Sequence, residues 1–584
     1  MKKIISITML LACIFAFSRC SEDAYEDRYA DPTKVSDVTL DKLMPGTFLH
    51  ANNFSMSGYS RYFGYEPQCL SKQSNSLGFT LDDGYYYKWE LDGWGEPPYG
   101  DLMKGIASYR IMESVYEGMS DADKAASEMF LLATNVHLLA HTLYILDFYG
   151  DIPFDEVGKI ALTQDVADSH PHYQKAPELY SMLLDKLGEI NTRFAQAQRP
   201  PTFGAQDFIN RGDVEKWRRY TNSLRLRAAL RVSAQGDLAA KGQGVIAEIL
   251  NSPGNYPLVE NNDQNIQITR QESGPLNVEG GSGFDWHNLQ TASSELIKRM
   301  QKAGDGGEYV DGQDDPRLPI LFCLATKNGE QPVETAAEEE VKDPLKTGKA
   351  VPTVFRGSSA SSDYDEYQSM FFTRLNRGYY SRVRMNGFFW RNQKWDHQVI
   401  SAAEVWFIRA EAYQRGWANG DAKAAFKEAI KQSIRFYFKY HNTRNRTEAD
   451  NTDTDYLNGA QQRSVINPAE PSDAWIDSFA EDRWTKQIDG SAYAGGELDA
   501  ILSQKWVNFS YLFSGEQWSD LRRTGYPRMV YKPDHNATSE VLNPANRLRY
   551  PSSDRNFNRN FPAEVGSLDN FTSVMFWALS SWHD

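Results

Sequence analysis

The clearest hydrophobic pattern in the chain lies at residues 121–150. Its apolar positions are spaced three and four apart, which predicts a long α-helix that ends at Gly150. These positions are Leu132, Val136, Leu139, Leu143 and Leu146. Similar helical patterns follow at 177–197, 213–234 and 243–251, with Gly, Pro and Asn between them. Consecutive helices with short connections predict antiparallel neighbours.

A repeat-like pattern appears at residues 402–434. The first half carries Ala402, Trp406, Ala410 and Tyr413 on one side, and a glycine-containing break follows at 416–420. The second half carries Ala422, Phe426 and Ala429. Small residues let two helices approach closely while an aromatic ring fills the gap, as in a tetratricopeptide hairpin. A generic helical hairpin remains the alternative.

The helical pattern fades between about 255 and 400. This region is rich in Gly, Pro, Asn and aromatic residues, with β-propensity at 318–326 and 379–390. The pattern therefore predicts an all-α dominated fold. A scaffold of tetratricopeptide-like hairpins, at about 101–251 and 401–530, carries a loop-rich lobe with short β-strands at about 255–400. We expect residues 41–584 to form a single domain.

The first 20 residues have the layout of an export signal. Two lysines precede an apolar run that is too short to cross a bilayer, and Cys20 follows it. We expect residues 1–19 to be a signal peptide, Cys20 to be lipidated, and residues 20–40 to form a flexible tether because they are polar and acidic. The alternative is an ordinary cleaved signal peptide with an incidental cysteine.

The composition of the chain excludes some classes of binding partner. The net charge of −16 makes nucleic acid an unsuitable ligand, because phosphate binding needs a basic surface. After Cys20 no run approaches the roughly 18 apolar residues of a membrane span, so the expected membrane contact is through lipid alone. We expect Cys69 and Cys323 to be two buried thiols; a disulfide between them is the alternative.

Aromatic residues concentrate in two polar, glycine-containing segments. The first is 82–99 and the second is 284–288, and neither follows a helical or strand period. Rings exposed on loops can stack on the C–H faces of sugars or clamp an extended peptide. The ligand-binding residues expected on this basis are Tyr86, Tyr87, Trp89, Trp94, Tyr99, Asp285 and Trp286. The alternative, that the rings pack the lobe, holds for about half of them.

Motifs for catalysis, metal ions or cofactors are weak throughout the chain. His137 and His141 have the spacing of a zinc-binding pair but lack the glutamate of that motif, so packing between helices is the favoured interpretation. The dinucleotide-like glycines at 242 and 244 have no strand before them. The acids at 311–315 favour a capped turn over a calcium site. We expect no catalytic residue, bound metal or cofactor.

Short segments spread over most of the chain resemble the SusD/RagB family of nutrient-binding outer-membrane lipoproteins. They are YGDIPF at 149–154, Trp217, NSLRLR at 222–227, Asp315-Pro316-Arg317, SAAEVWFIRAEA at 401–412, Gln504-Lys505-Trp506, and Trp518 with LRRTGYP at 521–527. The resemblance implies a helical fold with tetratricopeptide-like hairpins, a loop-rich ligand face and no catalytic activity.

The same resemblance implies a partner and a location. The partner is a SusC-like TonB-dependent outer-membrane β-barrel, over which the lipoprotein acts as a lid, and the location is the outer membrane, at the cell surface. Its ligand is an oligosaccharide or a peptide that it captures and delivers to the transporter. Two other classes stay open: a secreted all-helical glycoside hydrolase, which the rings and many acids would also suit, and a helical-repeat adaptor that binds only protein.

Overall fold

Helices dominate the fold, as the sequence predicts. The computed structural model describes residues 39–50, 74–75, 97–269, 291–326, 352–357, 379–383, 396–443, 452–455, 461–510, 513–531 and 543–583. The N-terminal helices are α1 (Leu40–His50), α2 (Pro97–Glu117), α3 (Asp121–Tyr149), α4 (Lys159–Thr163), α5 (Ala176–Phe194), α6 (Phe203–Gln206), α7 (Val214–Val232) and α8 (Ala239–Asn251). The later helices are α9 (Ser294–Met300), α10 (Leu318–Leu321), α11 (Ala402–Gln414), α12 (Ala422–Thr443), α13 (Asp473–Thr485), α14 (Gly496–Phe509), α15 (Ser514–Thr524), α16 (Ser552–Phe557) and α17 (Phe561–Glu564).

The strands of the described residues are short and pair two by two. They are β1 (Ser74–Asn75), β2 (Ile152–Pro153), β3 (Tyr173–Gln174), β4 (Ile266–Ile268), β5 (Thr291–Ala292), β6 (Ala325–Thr326), β7 (Pro352–Val354), β8 (His397–Ile400), β9 (Thr452–Asp455) and β10 (Gln461–Ser464). Antiparallel pairs form between β1 and β5, β2 and β3, β4 and β8, β6 and β7, and β9 and β10. The region predicted as loop-rich therefore contains five of these strands, β4 to β8, and isolated bridges link Thr291 of β5 to Arg382 and Val354 of β7 to Glu308.

Helix α3 is the central helix of the N-terminal half. Ser120 caps it by accepting a hydrogen bond from the Asp123 backbone N–H, and Gly150 ends it with a φ of 75°, which favours glycine. By length and composition α3 is the one described helix that could cross a membrane, but 94% of its apolar window is buried inside the protein. It is a core helix that packs against α1, α2 and α5.

The hairpin predicted at 402–434 consists of α11 and α12. Ser401 caps α11, and Ala410, Ala425 and Ala429 are buried in the hairpin. The aromatic residue that meets Phe426 from α11 is Phe407, with ring centroids 6.3 Å apart. Trp406 has a different role from the predicted one, because its Nε1 donates to the Glu260 carbonyl.

Two further elements differ from the sequence-based expectation. Helix α2 begins at Pro97, inside the segment predicted to be an aromatic loop, because proline is well tolerated in the first turn of a helix and fixes a helical φ. At 318–326 one turn of helix, α10, comes before the β-structure. Phe322 then bridges to Val383, and β6 follows.

Charged side chains form a buried cluster between the helices, here called the ionic core. Arg231 of α7 binds Asp147 of α3 at 3.0 Å and Glu516 of α15 at 2.6 Å. Asp520 of α15 accepts from Lys505 of α14 at 2.7 Å. The remaining ion pairs are Arg231–Asp520, Arg523–Asp520, Arg523–Glu411, Arg415–Glu411, Arg227–Glu404 and Arg227–Glu516. Five cations and five acids thus neutralise one another, which buried charges require.

Candidate ligand-binding face

Most of the expected ligand-binding residues lie outside the described residues. These are Tyr86, Tyr87, Trp89, Trp94, Asp285 and Trp286. Cys20, which is expected to carry lipid, and Cys69 also lie outside them, whereas Cys323 is buried as expected. The structure describes elements that flank the two aromatic segments in the sequence.

The strand pair β1–β5 lies close in sequence to both aromatic segments. Ser74 pairs with Ala292 and Asn75 with Thr291 in antiparallel register. Residue 75 lies seven positions before the first aromatic segment, and Thr291 follows the second by three. Because paired strands lie about 5 Å apart, the positions seven residues before the first segment and three residues after the second lie side by side, and Thr291 and Ala292 are buried there.

Further backbone pairing lies next to the β1–β5 pair. Thr291 bridges to Arg382, and the Ala292 backbone N–H donates to the Ser381 carbonyl at 2.8 Å. The Arg356 guanidinium lies 4.3 Å from the ring centroid of Tyr379 and donates to the Tyr379 carbonyl. Three parts of the loop-rich lobe therefore meet beside the β1–β5 pair.

Tyr99 is the one expected ligand-binding residue that the structure describes, and it is a packing residue. It is 1% exposed in the first turn of α2, its hydroxyl donates to Asp554 at 2.7 Å, and its ring packs edge-on against Tyr149. Neither ring face is open to a ligand, so the expectation for Tyr99 is wrong. The alternative of a lobe-packing ring applies to it, because Pro97 and Pro98 begin a helix here.

The two histidines of α3 hold neighbouring elements together. His137 Nδ1 is 3.1 Å from the Tyr220 hydroxyl on α7, and His141 Nε2 is 2.9 Å from the Pro98 carbonyl on α2. Burial lowers the pKa of His137 to about 3, so this imidazole is neutral. The favoured interpretation of this pair, hydrogen bonding between helices, is confirmed, and the contact to Pro98 anchors the C-terminal end of the first aromatic segment.

The acids at 311–315 build a turn. Asp314 accepts from the backbone N–H groups of Lys302 and Val310, both at 2.7 Å, and Asp315 forms a buried ion pair with Arg317. The predicted capped turn is confirmed. Across the residues with described positions, no group of three or more His, Cys, Asp or Glu side chains is arranged to hold a metal ion.

A cavity on α13 was missed by the reasoning from sequence. It has a volume of about 350 Å³, and Trp475, Phe479 and Arg483 line it from one helix face. The spacing of these three residues, four apart, is a signal that could have identified a shared face. They lie outside both aromatic segments and outside every family-like segment.

These features define a class of protein: a scaffold of helical hairpins with an ionic core, carrying a loop-rich lobe with short paired strands. The sequence profile of the SusD-like family, described as "Starch-binding associating with outer membrane", matches residues 83–551. The chain belongs to this family. No protein of curated function matches it in sequence.

Solved structures of similar fold support the same assignment. A chitin-binding protein superposes with a TM-score of 0.65 at 19% identity, covering 93% of this chain and 100% of its own. A SusD homologue from Bacteroides fragilis gives 0.64 at 21% identity, covering 92% and 99%. A chitin-binding SusD homologue from Flavobacterium johnsoniae gives 0.59 at 18% identity, with the same coverage. At these identities the similarity establishes the fold.

Proposed function

We propose that the protein is a non-catalytic, lipid-anchored receptor of the outer membrane that binds oligosaccharides and delivers them to a TonB-dependent transporter. The observation that supports the ligand assignment is the β1–β5 pair, which brings together the positions seven residues before the first aromatic segment and three residues after the second. The family description and the chitin-binding relatives favour a glycan over a peptide. Stacked rings contribute about 1 kcal/mol each beyond area burial, which suits modest affinity and later release.

The site consists of Tyr86, Tyr87, Trp89, Trp94, Asp285 and Trp286. Binding is tested by calorimetric titration of the purified protein with chito- and malto-oligosaccharides. Replacing Trp89, Trp94 or Trp286 by Ala should each weaken binding about fivefold, as expected for the loss of about 1 kcal/mol. Trp417→Ala, the same change at the α11–α12 turn, is the matched control and should leave affinity unchanged. Equal affinity in all four variants would refute the assignment of the site.

The alternative of a glycoside hydrolase is based partly on the many acidic residues of the chain. Those that are buried in the ionic core have structural roles. Asp147, Glu411, Glu516 and Asp520 are all bound to arginine side chains. A general acid needs access to substrate, and these four side chains are buried between helices. Incubation with the same oligosaccharides should release no new reducing ends, and turnover would support the hydrolase instead.

Anchoring and delivery are proposed from the export signal and from family membership. Cys20→Ala should release the protein from the outer membrane, and unchanged surface anchoring would contradict lipidation. Affinity purification of the membrane-extracted protein should recover a β-barrel transporter. Tethering next to the transporter would raise the effective ligand concentration without new contacts. Recovery of only soluble proteins, with no glycan affinity, would favour the adaptor.

A further inference from the structure

The cavity on α13 combines a flat aromatic wall with a group of cations. The side chains that form it are Trp475, Phe479, Asp482, Arg483, Lys302 and Lys486. Its volume of about 350 Å³ is at the lower end of the range for small-ligand sites, enough for a small ligand or one unit of a larger one. The cavity belongs to rigid elements, because α13 and the turn after α9 supply the walls.

The aromatic wall is held in one orientation. The rings of Trp475 and Phe479 are stacked with centroids 5.0 Å apart and planes inclined by 15°. Trp475 Nε1 donates to the Gly312 carbonyl at 3.1 Å, and Gly312 has a φ of 75° that favours glycine. A fixed indole loses little conformational entropy when a ligand packs against it.

Arg483 lies at the back of the cavity without a hydrogen-bond acceptor for part of its guanidinium. The residue is 8% exposed, and its Nε and Nη1 atoms are buried with no hydrogen-bond partner. Burial lowers the pKa of Arg483 from its ordinary value, and the nearby acidic groups compensate only in part. An unpaired buried cation is costly, so this position favours a ligand that brings an anion.

Asp482, the adjacent residue on α13, offsets the effect of burial on the Arg483 pKa only in part, and the two other nearby acids have partners of their own. The Asp489 carboxylate accepts from the backbone N–H and hydroxyl of Ser491, and Asp315 is paired with Arg317. Three cations and one acid, Asp482, line the cavity. This positive site stands out in a chain of net charge −16.

We propose that the α13 cavity binds a carboxylate-bearing sugar unit, a uronic acid, with the sugar against Trp475 and its carboxylate between Arg483, Lys302 and Lys486. Guanidinium–carboxylate hydrogen bonds are strong because both partners are charged. The choice of a sugar over an acidic peptide rests on the proposed glycan function, whereas the choice of an anion rests on the cavity alone. The site lies on elements other than the two aromatic segments.

The test uses the full-length protein in detergent, titrated calorimetrically with oligogalacturonate and oligoglucuronate. Their fully methyl-esterified forms are the matched neutral ligands. At least one acid form should bind at least tenfold more tightly than its ester, and the difference should shrink in high salt. Equal binding of acid and ester, or no binding of either acid, would overturn the proposal.

Variants locate the binding to the cavity. Arg483→Gln and the double change Lys302→Gln with Lys486→Gln should each weaken uronate binding at least tenfold. Both lysines are exposed, so the double variant remains informative even if Arg483→Gln fails to fold. Lys298→Gln, a change of an exposed lysine on α9 that lies outside the cavity, should bind like the unchanged protein. Unchanged affinity in the lysine double variant would contradict the site.

Two further arms separate this proposal from the alternatives. A triglutamate peptide that binds at the cavity where the uronates do not would reject a sugar and indicate an acidic peptide. The Trp89→Ala, Trp94→Ala and Trp286→Ala variants should keep uronate binding while binding neutral glycans about fivefold more weakly. Weaker neutral-glycan binding in the tryptophan variants therefore tests the proposed function. Weaker uronate binding in the cavity variants tests the second site.

Discussion

Arg523 and Glu411 form a two-point ion pair at the centre of the protein. Arg523 Nη1 lies 2.6 Å from Glu411 Oε1, Nη2 lies 2.8 Å from Oε2, and both side chains are fully buried. The pair joins α11 to α15 across 112 positions of sequence. Both residues lie in segments that carry the family resemblance, so these segments mark the interior of the fold.

Glu411→Gln should strongly destabilise the protein, because it leaves the Arg523 charge buried without its full counter-charge. Breaking a buried pair from one side costs about 3–5 kcal/mol, which urea unfolding would measure. The matched control is Glu470→Gln, which disturbs the surface pair with Arg435 and should cost less than about 1 kcal/mol. Equal losses in the two variants would argue against a central role for the buried pair.

Glu411 should also make the stability of the protein depend on pH in the acidic range. Burial alone would raise the pKa of Glu411, but the charge and hydrogen bonds of Arg523, aided by Arg415 and Lys505, outweigh burial and lower the pKa to about 2, against an ordinary 4.5. The stabilisation is therefore complete above about pH 4.5 and is lost as the pH falls towards 2. The difference in unfolding free energy between the unchanged protein and Glu411→Gln should shrink over that range; a constant difference would contradict the lowered pKa.

Replacing Gly242 and Gly244 on α8 by alanine should change the free energy of unfolding in opposite directions. A Cβ at Gly242 would lie 2.6 Å from Ser233 Oγ and 2.8 Å from the Ala229 carbonyl on α7, so Gly242→Ala should cost about 1–3 kcal/mol through overpacking. Gly244 is exposed with nothing within 4 Å, so Gly244→Ala should gain about 0.5–1 kcal/mol of helix stability. Chemical denaturation of both variants measures the difference, and a shared sign would refute the close contact of α7 with α8.

The hairpin of α11 and α12 allows a similar comparison between a buried and an exposed position. Ala429 is buried, and Ala424 is exposed on the same helix. Ala429→Leu should destabilise by about 1–3 kcal/mol because the core has no room for the larger side chain. Ala424→Leu should change the unfolding midpoint little. An unchanged midpoint for Ala429→Leu would show that the two helices are not tightly packed there.

The long helices could be predicted from sequence because their patterns are local. α3 and α7 end within two residues of the predicted limits, since Ser120 and Asp213 are capping residues placed just before an apolar pattern. The hairpin at 402–434 was also predictable, because alanine spacing shows which faces can approach. The sequence does not show which ring of α11 meets Phe426, because Trp406 and Phe407 both fit a helical period; in the packed structure it is Phe407.

The ionic core could not be predicted in the same way. Asp147 and Arg231 are 84 positions apart, and Arg231 and Glu516 are 285 apart, so no local pattern joins them. A partial signal exists: Arg231 occupies a buried position of α7, where an apolar residue would be expected. Tyr99 shows the opposite error, because prolines that usually interrupt structure here begin a helix.

The order of the ionic core along the chain has a consequence for synthesis. Asp147, Arg231 and Glu411 are made long before Asp520 and Arg523, which lie near the C-terminal end of the sequence. A ribosome makes the N-terminal part first, so pairs such as Arg231–Asp147 can form before α15 exists. A version shortened before α15 would leave Arg231 with Asp147 alone and Glu411 with Arg415 alone, so its interior charges would be only partly neutralised.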